Sequence, residues 1–428
     1  MLKRFSPYIA LALALGLFIF ALWIIRTPLP KPLDIKQVRQ IILITPDTLR
    51  YDRLKIMPNV QAWAEDATQY EYALSTAAWT SPSFAAIMTG KYPKEVRHYE
   101  PPPVDHVDWI SAEHDTIAEV LNREGFRTVA FVSAATVGFD GGFAQGFDEF
   151  YMQNTSEIKY PKSTEIFADA MDWLDAHPYD DCFIWLHCWD THWPYAPPKP
   201  DERLCVDIDG RWDYEFDPWA AGIRSGEVIL TQNEKHRMEY LYDEEARFFD
   251  KRFGRFIRWQ EENYPDALVI FTSDHGEEFW EHGGFEHGHQ LYDDLMHVPL
   301  IVKGPNIPER IIEDPFSTKD VFWIIAEGNF SEAIGLDAKY HNQVIFGPPQ
   351  YAITKDGYRY ILNDETKFEE LYDYRYDPEM KQNLAPDMRK KIEEMRGLMY
   401  EFRKGKALDT PDAEELREEL KSIGYLGG

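Results

Sequence analysis

Short, uninterrupted apolar runs recur along the chain: Ile41–Thr45, Thr128–Val132, Cys182–Leu186, Ala267–Thr272 and Val298–Val302. A strand that alternates apolar and polar positions buries one face. A strand that is apolar throughout buries both, so these runs predict core strands of a sheet covered on each side. Amphipathic stretches lie between several of them, most clearly Thr164–His177 and Glu234–Glu262, and predict the covering helices. The alternation predicts an α/β fold: an open, mostly parallel central sheet sandwiched by helices, with ligands gathered beyond the carboxyl ends of the strands. Asp47, the segment His187–His192 and Asp274 all stand at such ends.

The pattern differs at the two ends of the chain. Tyr8–Ile25 carries no charge and is about long enough to cross the hydrocarbon core of a bilayer. No small-x-small pattern follows at Arg26, so the run predicts a retained N-terminal transmembrane helix rather than a cleaved signal. Lys3 and Arg4 precede the run while Arg26, Lys31, Lys36 and Arg39 follow it, so the flanking charges set no orientation. The Pro-rich stretch Pro28–Pro32 reads as a stiff linker. Past Gln343 come short strand-like pieces, Tyr351–Thr354 and Tyr358–Leu362, and helical segments at Met388–Arg403 and Ala413–Ser422. The expected organisation is an anchor over 1–27, a linker over 28–39, a catalytic domain over 40–342 and a small C-terminal α+β subdomain over 343–428. Tyr195–Glu227, Pro-rich at its start, reads as an irregular surface loop near the site.

Composition narrows the function classes. The 428 residues include 45 Lys+Arg against 74 Asp+Glu, a formal charge of −29, which repels a phosphate backbone and argues against nucleic acid as a partner. The acidic residues are scattered rather than blocked and name no substrate. Three cysteines, Cys182, Cys188 and Cys205, make neither a disulfide framework nor a tetrahedral cysteine metal site, and read as packing residues.

Three segments carry candidate chemistry. Asp274-His275-Gly276-Glu277 sets a hard carboxylate and an imidazole at one strand end, where a divalent cation can be held, and Asp47 supplies a second carboxylate at another. Each alone is also an ordinary turn or cap. In Trp79-Thr80-Ser81-Pro82 the proline suits a first helical turn. A hydroxyl there faces unpaired amides and the positive end of the helix dipole, which favour an anionic ester or alkoxide.

Taken in order, these segments resemble the sulfatase family of the alkaline phosphatase-like superfamily. Ile44–Arg50, Met57-Pro-Asn59, Thr80–Ser83 with Thr89–Pro93, Gly125–Thr128 and Gly146–Asp148 follow the family's sequence of landmarks. So do Asp190-Thr-His192, Ser273–Glu278, His287–Tyr292, Val298–Leu300, Leu371-Tyr372, Asp377–Glu379 and the terminal Gly424-Tyr-Leu-Gly. The resemblance implies that Asp47, Asp274 and His275 hold a divalent metal cation (Ca, Mg, Mn or Zn), with Thr80 as a nucleophile bound to it. It implies that His192 and His287 bind the ester oxyanion, protonate the leaving group or ligate a second metal, with His187 and His289 as weaker candidates.

The chain also departs from the pattern. Typical members carry Cys or Ser, oxidised to formylglycine, where this chain has Thr80, and Arg where it has Phe84. A second Asp is replaced by Thr48, and the family's Gly-Lys-Trp-His element is missing after Phe126. Threonine cannot yield the aldehyde hydrate. The pattern is instead similar to Thr-dependent relatives, lipoteichoic acid synthase and phosphoethanolamine transferases, which are membrane-anchored and pass through a phosphothreonine. The resulting expectation is a membrane-anchored, extracytoplasmic phosphate-ester hydrolase or phosphotransferase acting on a lipid headgroup, glycan or small molecule. A sulfuric ester hydrolase without formylglycine and a non-catalytic metal- or glycan-binding relative are the alternatives.

Overall fold

The computed structural model describes residues 37–100, 106–152, 162–197, 218–328, 339–341 and 350–404. The Tyr8–Ile25 run, the Pro28–Pro32 linker, Cys205, the Ala413–Ser422 segment and the terminal Gly-Tyr-Leu-Gly lie outside them. Among the described residues no helix is long and apolar enough to cross a membrane.

Eight strands form the central sheet: β1 (Gln40–Pro46), β2 (Thr68–Tyr70), β3 (Arg127–Val132), β4 (Glu149–Met152), β5 (Cys182–Cys188), β6 (Leu268–Thr272), β7 (Leu300–Lys303) and β8 (Arg310–Ile312). Their order is β8-β2-β7-β6-β1-β5-β3-β4. From β6 to β4 every pairing is parallel, whereas β7 runs antiparallel to both β6 and β2. The apolar run at Val298–Val302 is therefore not one strand. Val298 pairs with Ala73 in a separate small sheet, and the main-sheet strand begins at Leu300. Pro299, which has no N–H to give to a ladder, stands at the break.

The helices that pack against the two larger sheets are α1 (Pro58–Ala64), α2 (Thr80–Thr89), α3 (Ile117–Arg123), α4 (Ser163–Ala176), α5 (Gln232–Asn263), α6 (Val321–Glu327) and α7 (Arg389–Lys404). Side-chain alternation in the sheet explains why the central strands are apolar throughout. Ile41, Leu43, Phe183, Trp185, Leu268 and Ile270 pack with α2, α3 and α6 on one face. Ile42, Ile44, Ile184, Leu186, Val269 and Phe271 pack with α1, α4 and α5 on the other. Each such side chain contributes roughly 1.5–3 kcal/mol of burial. Helix α5 opens with a capping box: Thr231 Oγ1 accepts the Glu234 amide, and Glu234 accepts the Thr231 amide. Midway along it, a Cβ on Gly254 would stand 2.3 Å from Asn59 Oδ1, so only glycine lets α1 pack this closely. Cys182 and Cys188 are free and buried in β5, as packing residues.

Toward the C-terminus, β9 (Lys339–His341), β10 (Gln350–Lys355), β11 (Tyr358–Asn363) and β12 (Glu369–Asp373) make an antiparallel sheet. Ile353, Tyr360 and Leu371 pack on Ile392, Met395 and Met399 of α7. The segment read as an irregular loop holds a helix, Pro218–Ser225.

Candidate active site

The site forms where β1, β5 and β6, three adjacent parallel strands, end together. Asp47 follows β1, and its amide donates to the Cys188 carbonyl at 2.9 Å. The chain then turns through Thr48, whose φ of 59° is rare for a β-branched residue. Three bonds hold that turn: Thr48 Oγ1–H to the Thr191 carbonyl (2.6 Å), the Thr48 amide to Asp274 Oδ1 (3.1 Å) and the Leu49 amide to Ser273 Oγ (2.9 Å). The loop after β6 is equally tight. A Cβ on Gly276 would stand 2.0 Å from the Asp294 carbonyl oxygen, so the residue after His275 has no room for a side chain.

Asp47, Asp274 and His275 are fully buried and each offers a ligand atom, all within 4.8 Å of one another. His275 Nδ1–H donates to the Gly276 carbonyl at 2.8 Å, which turns Nε2 inward. That nitrogen lies 3.3 Å from Thr80 Oγ1, 3.2 Å from Asp274 Oδ2 and 3.9 Å from Asp47 Oδ1. Each carboxylate has one oxygen engaged outward. Asp274 Oδ1 accepts the Thr48 amide, and Asp47 Oδ2 accepts from His187 Nε2 at 3.2 Å. The other two oxygens, Asp47 Oδ1 and Asp274 Oδ2, are buried without a hydrogen-bond partner. An orphaned pair of this kind is costly unless a cation completes it. Burial and the adjacent Asp274 push the Asp47 carboxyl well above the usual range. Burial opposes the charge of Asp274 as well, but His275 beside it holds its carboxyl well below that range. The two aspartates, Asp274 foremost, outweigh burial at His275 and raise its imidazolium pKa to about 9. Without an ion, His275 is the counter-charge.

Thr80 is the first residue of α2, a helix buried along its whole length and closed by Gly90 in the left-handed conformation. Pro82 and the bond from Ser83 Oγ–H to the Ala77 carbonyl (2.9 Å) fix its entry. Four residues on, Phe84 packs its ring 5.2 Å from Trp185 and 5.1 Å from His187, so an apolar wall stands where the family's typical members place a cation.

His192 and His287 meet the cluster from the other side. The His287 ring centroid lies 4.4 Å from that of His275 and 5.0 Å from that of His192. His192 Nδ1–H donates to the Trp193 carbonyl and its ring stacks on Trp189 at 3.6 Å. Burial holds both imidazoles well below their ordinary pKa. His187 sits behind Asp47 instead. Ser133 N–H donates to its Nδ1 at 3.4 Å, and burial lowers its pKa to about 4, so it is a neutral donor to Asp47. His289 Nε2 pairs with Glu278 at 2.6 Å.

All six residues expected at the site thus meet in one cluster. The sequence did not single out Glu277 or Tyr195. Glu277 accepts from His287 Nδ1 at 2.8 Å and from the Tyr195 hydroxyl at 2.7 Å. The one available signal was the adjacency of Glu277 to the Asp274-His275 pair.

A family model described as Sulfatase matches residues 39–326. The uncharacterized sulfatase YidJ of Escherichia coli K12 is 30% identical over 165 residues, 33% of this chain and 33% of its own length. The chain therefore spans about a third of that relative. Among solved structures, BT4656 in complex with its substrate D-glucosamine-2-N,6-O-disulfate superposes with a TM-score of 0.66 at 16% identity, covering 89% of this chain and 99% of that one. The phosphonate monoester hydrolase of Agrobacterium radiobacter gives 0.65 at 17% identity, covering 90% and 97%. Those two likenesses show the fold.

Proposed function

Because the chain belongs to the sulfatase family of ester hydrolases, we propose that it is a divalent-cation-dependent enzyme that cleaves or transfers phosphorus esters through Thr80. The observation that carries this reading is the convergence of Thr80 Oγ1, the two orphaned oxygens Asp47 Oδ1 and Asp274 Oδ2, and His275 Nε2. Three oxygens and one imidazole nitrogen suit Mg²⁺, Mn²⁺, Ca²⁺ or Zn²⁺. Asp47, Asp274, His275 and Thr80 would hold the ion, which supplies charge neutralisation and a lowered hydroxyl pKa.

Thr80 Oγ bonds to phosphorus as the bond from phosphorus to the departing alcohol oxygen breaks. The far ring nitrogen of His192 or His287, both neutral, takes the Thr80 proton on attack and gives it to the departing alkoxide. Water or an acceptor alcohol then attacks the phosphothreonine and passes its proton through the same histidine to the freed Thr80 oxygen. A threonine nucleophile and the apolar Phe84 wall support phosphorus over sulfur, as does the likeness to a phosphonate monoester hydrolase. The likeness to a structure holding a disulfated glucosamine supports the second reading, sulfate ester hydrolysis by direct attack of water.

The test is turnover of p-nitrophenyl phosphate, bis-p-nitrophenyl phosphate, a phenylphosphonate ester and p-nitrophenyl sulfate with each dication in turn. Phosphorus-ester turnover is expected, lost by ~10⁴-fold or more in Thr80→Ala. Sulfate turnover that survives Thr80→Ala would overturn the mechanism in favour of the second reading. Silence on every ester despite bound metal would leave a binding protein. A dication at 100 times its Kd should stabilise the fold by about 2.7 kcal/mol.

The apolar Tyr8–Ile25 run supports single-pass anchoring, and the resemblance to membrane-anchored Thr-dependent relatives supports a catalytic domain outside the cytoplasm acting on a lipid headgroup, glycan or small ester. Retention in carbonate-washed membranes, lost on deletion of residues 1–27, is the expected result; full-length protein in the soluble fraction would refute it.

A further inference from the structure

Glu277 and His287 are ten residues apart and are brought together by a hairpin. Its two short strands pair Glu278 with Glu286 and Phe279 with Phe285, so the next positions outward in the register are 277 and 287. At that base Glu277 is fully buried, with both carboxylate oxygens engaged. Oε1 accepts His287 Nδ1–H at 2.8 Å and Oε2 accepts the Tyr195 hydroxyl at 2.7 Å. Committing Nδ1–H to the carboxylate fixes both the plane of the ring and its tautomer, and makes Nε2 the nitrogen that exchanges protons with the site.

His192 is held differently. Its Nδ1–H meets a backbone carbonyl and its ring is clamped by Trp189. A carbonyl orients an imidazole, but a carboxylate also stabilises the cation that forms when the far nitrogen takes a proton. Resting on the phosphorus-ester reading above, we propose that Glu277, oriented in turn by Tyr195, is the positioning residue that holds His287 with Nε2 toward the leaving-group oxygen. His287, not His192, then serves the departing alcohol. Neutral His287 takes the Thr80 proton at Nε2 as Thr80 attacks, and gives it from that atom to the alkoxide as the bond from phosphorus to the leaving oxygen breaks. In the second half-reaction Nε2 takes a proton from the attacking water or alcohol and gives it to the freed Thr80 oxygen, which leaves the ring neutral again.

The experiment uses the full chain with its dication and a series of aryl phosphates whose phenols range from acidic to weakly acidic. An acidic phenol leaves without a proton and a weakly acidic one does not. Glu277→Ala should therefore lower kcat about 100-fold on phenyl phosphate and less than about 10-fold on p-nitrophenyl phosphate, with little change in KM. Tyr195→Phe should follow the same trend more weakly. Glu277→Gln, which keeps an acceptor for Nδ1–H without the charge, should fall between Glu277→Ala and the parent. A loss equal across leaving groups, or one carried by KM, would overturn the proposal.

A second readout does not need turnover. In ¹⁵N-histidine spectra of the parent, His287 is expected as the Nδ1–H tautomer, and Glu277→Ala should mix in the other. An unchanged His287 signal in that variant would overturn the positioning role. A parent inert on every ester would sink the phosphorus-ester reading alone, because the spectra still test the contact.

Discussion

Asp47 and Asp190 lie just beyond the ends of two neighbouring strands, both fully buried, and burial pushes the carboxyl of each upward. Their surroundings are opposite. Asp190 is closed: Oδ2 accepts the Ser163 amide and Oδ1 the Ser163 hydroxyl, each at 2.7 Å. Next to it Lys162 pairs with Glu245 at 2.6 Å. Asp47 is open, with one oxygen orphaned beside a second carboxylate. A closed carboxylate holds a loop in place, here the one carrying His192. An open one destabilises the empty protein and is retained where a ligand completes it.

That contrast breaks if the two aspartates respond alike. The largest effect expected is on turnover. Asp47→Asn should cost at least ~1000-fold, yet the metal-free variant should melt no lower than the parent, because the repulsion from Asp274 is relieved. A clear drop in its Tm would make Asp47 structural, like Asp190.

Next in size is a pH effect at the closed cluster. Burial, only partly offset by Lys162, raises Glu245 from 4.5 to about 7. Between those values the folded state binds more protons than the unfolded state, so this group's contribution falls as pH rises and is lost by about pH 7. The span is about 3 kcal/mol. Urea melts from pH 4.5 to 7.5 should show the decline, and Glu245→Gln should flatten it.

Asp190→Asn should cost about 2 kcal/mol, since an amide NH₂ replaces an acceptor facing a Ser163 donor. Ser163→Ala should cost about 1 kcal/mol, for the hydroxyl bond alone. Denaturant midpoints check both, and neither variant should alter the metal dependence of turnover.

Much of this contrast was open to sequence reading, for a physical reason. Strands buried on both faces write continuous apolar runs, so β1, β3, β5 and β6 were visible, and with them the strand ends that carry Asp47 and Asp274. Thr80 was visible because a proline two residues on marks a helix start. What escaped depends on pairing between distant segments. Strands β2 and β8 are three residues each, and Thr68-Gln69-Tyr70 has no strong apolar signature. The Glu277–His287 contact follows from a two-residue ladder that nothing in the local pattern announces. His187 read only as a weaker candidate, because its direction depends on the 3.2 Å approach of Asp47 from the neighbouring strand.

The order of strands in the sheet bears on how the protein is made. Strand β1 is translated first among the eight, yet its neighbours are β5 and β6, whose first pairing residues are Cys182 and Leu268. A chain emerging from the ribosome carries Asp47 and Thr80 long before His275 exists. Through most of synthesis β1 presents unpaired apolar edges, a stage prone to misassociation. On the metal-dependent reading proposed above, cation capture cannot begin until synthesis has passed His275, so ion loading would follow the pairing of β1 with its neighbours rather than precede it. Stalled chains ending before and after Asp274-His275 should differ sharply in protection of β1 from protease.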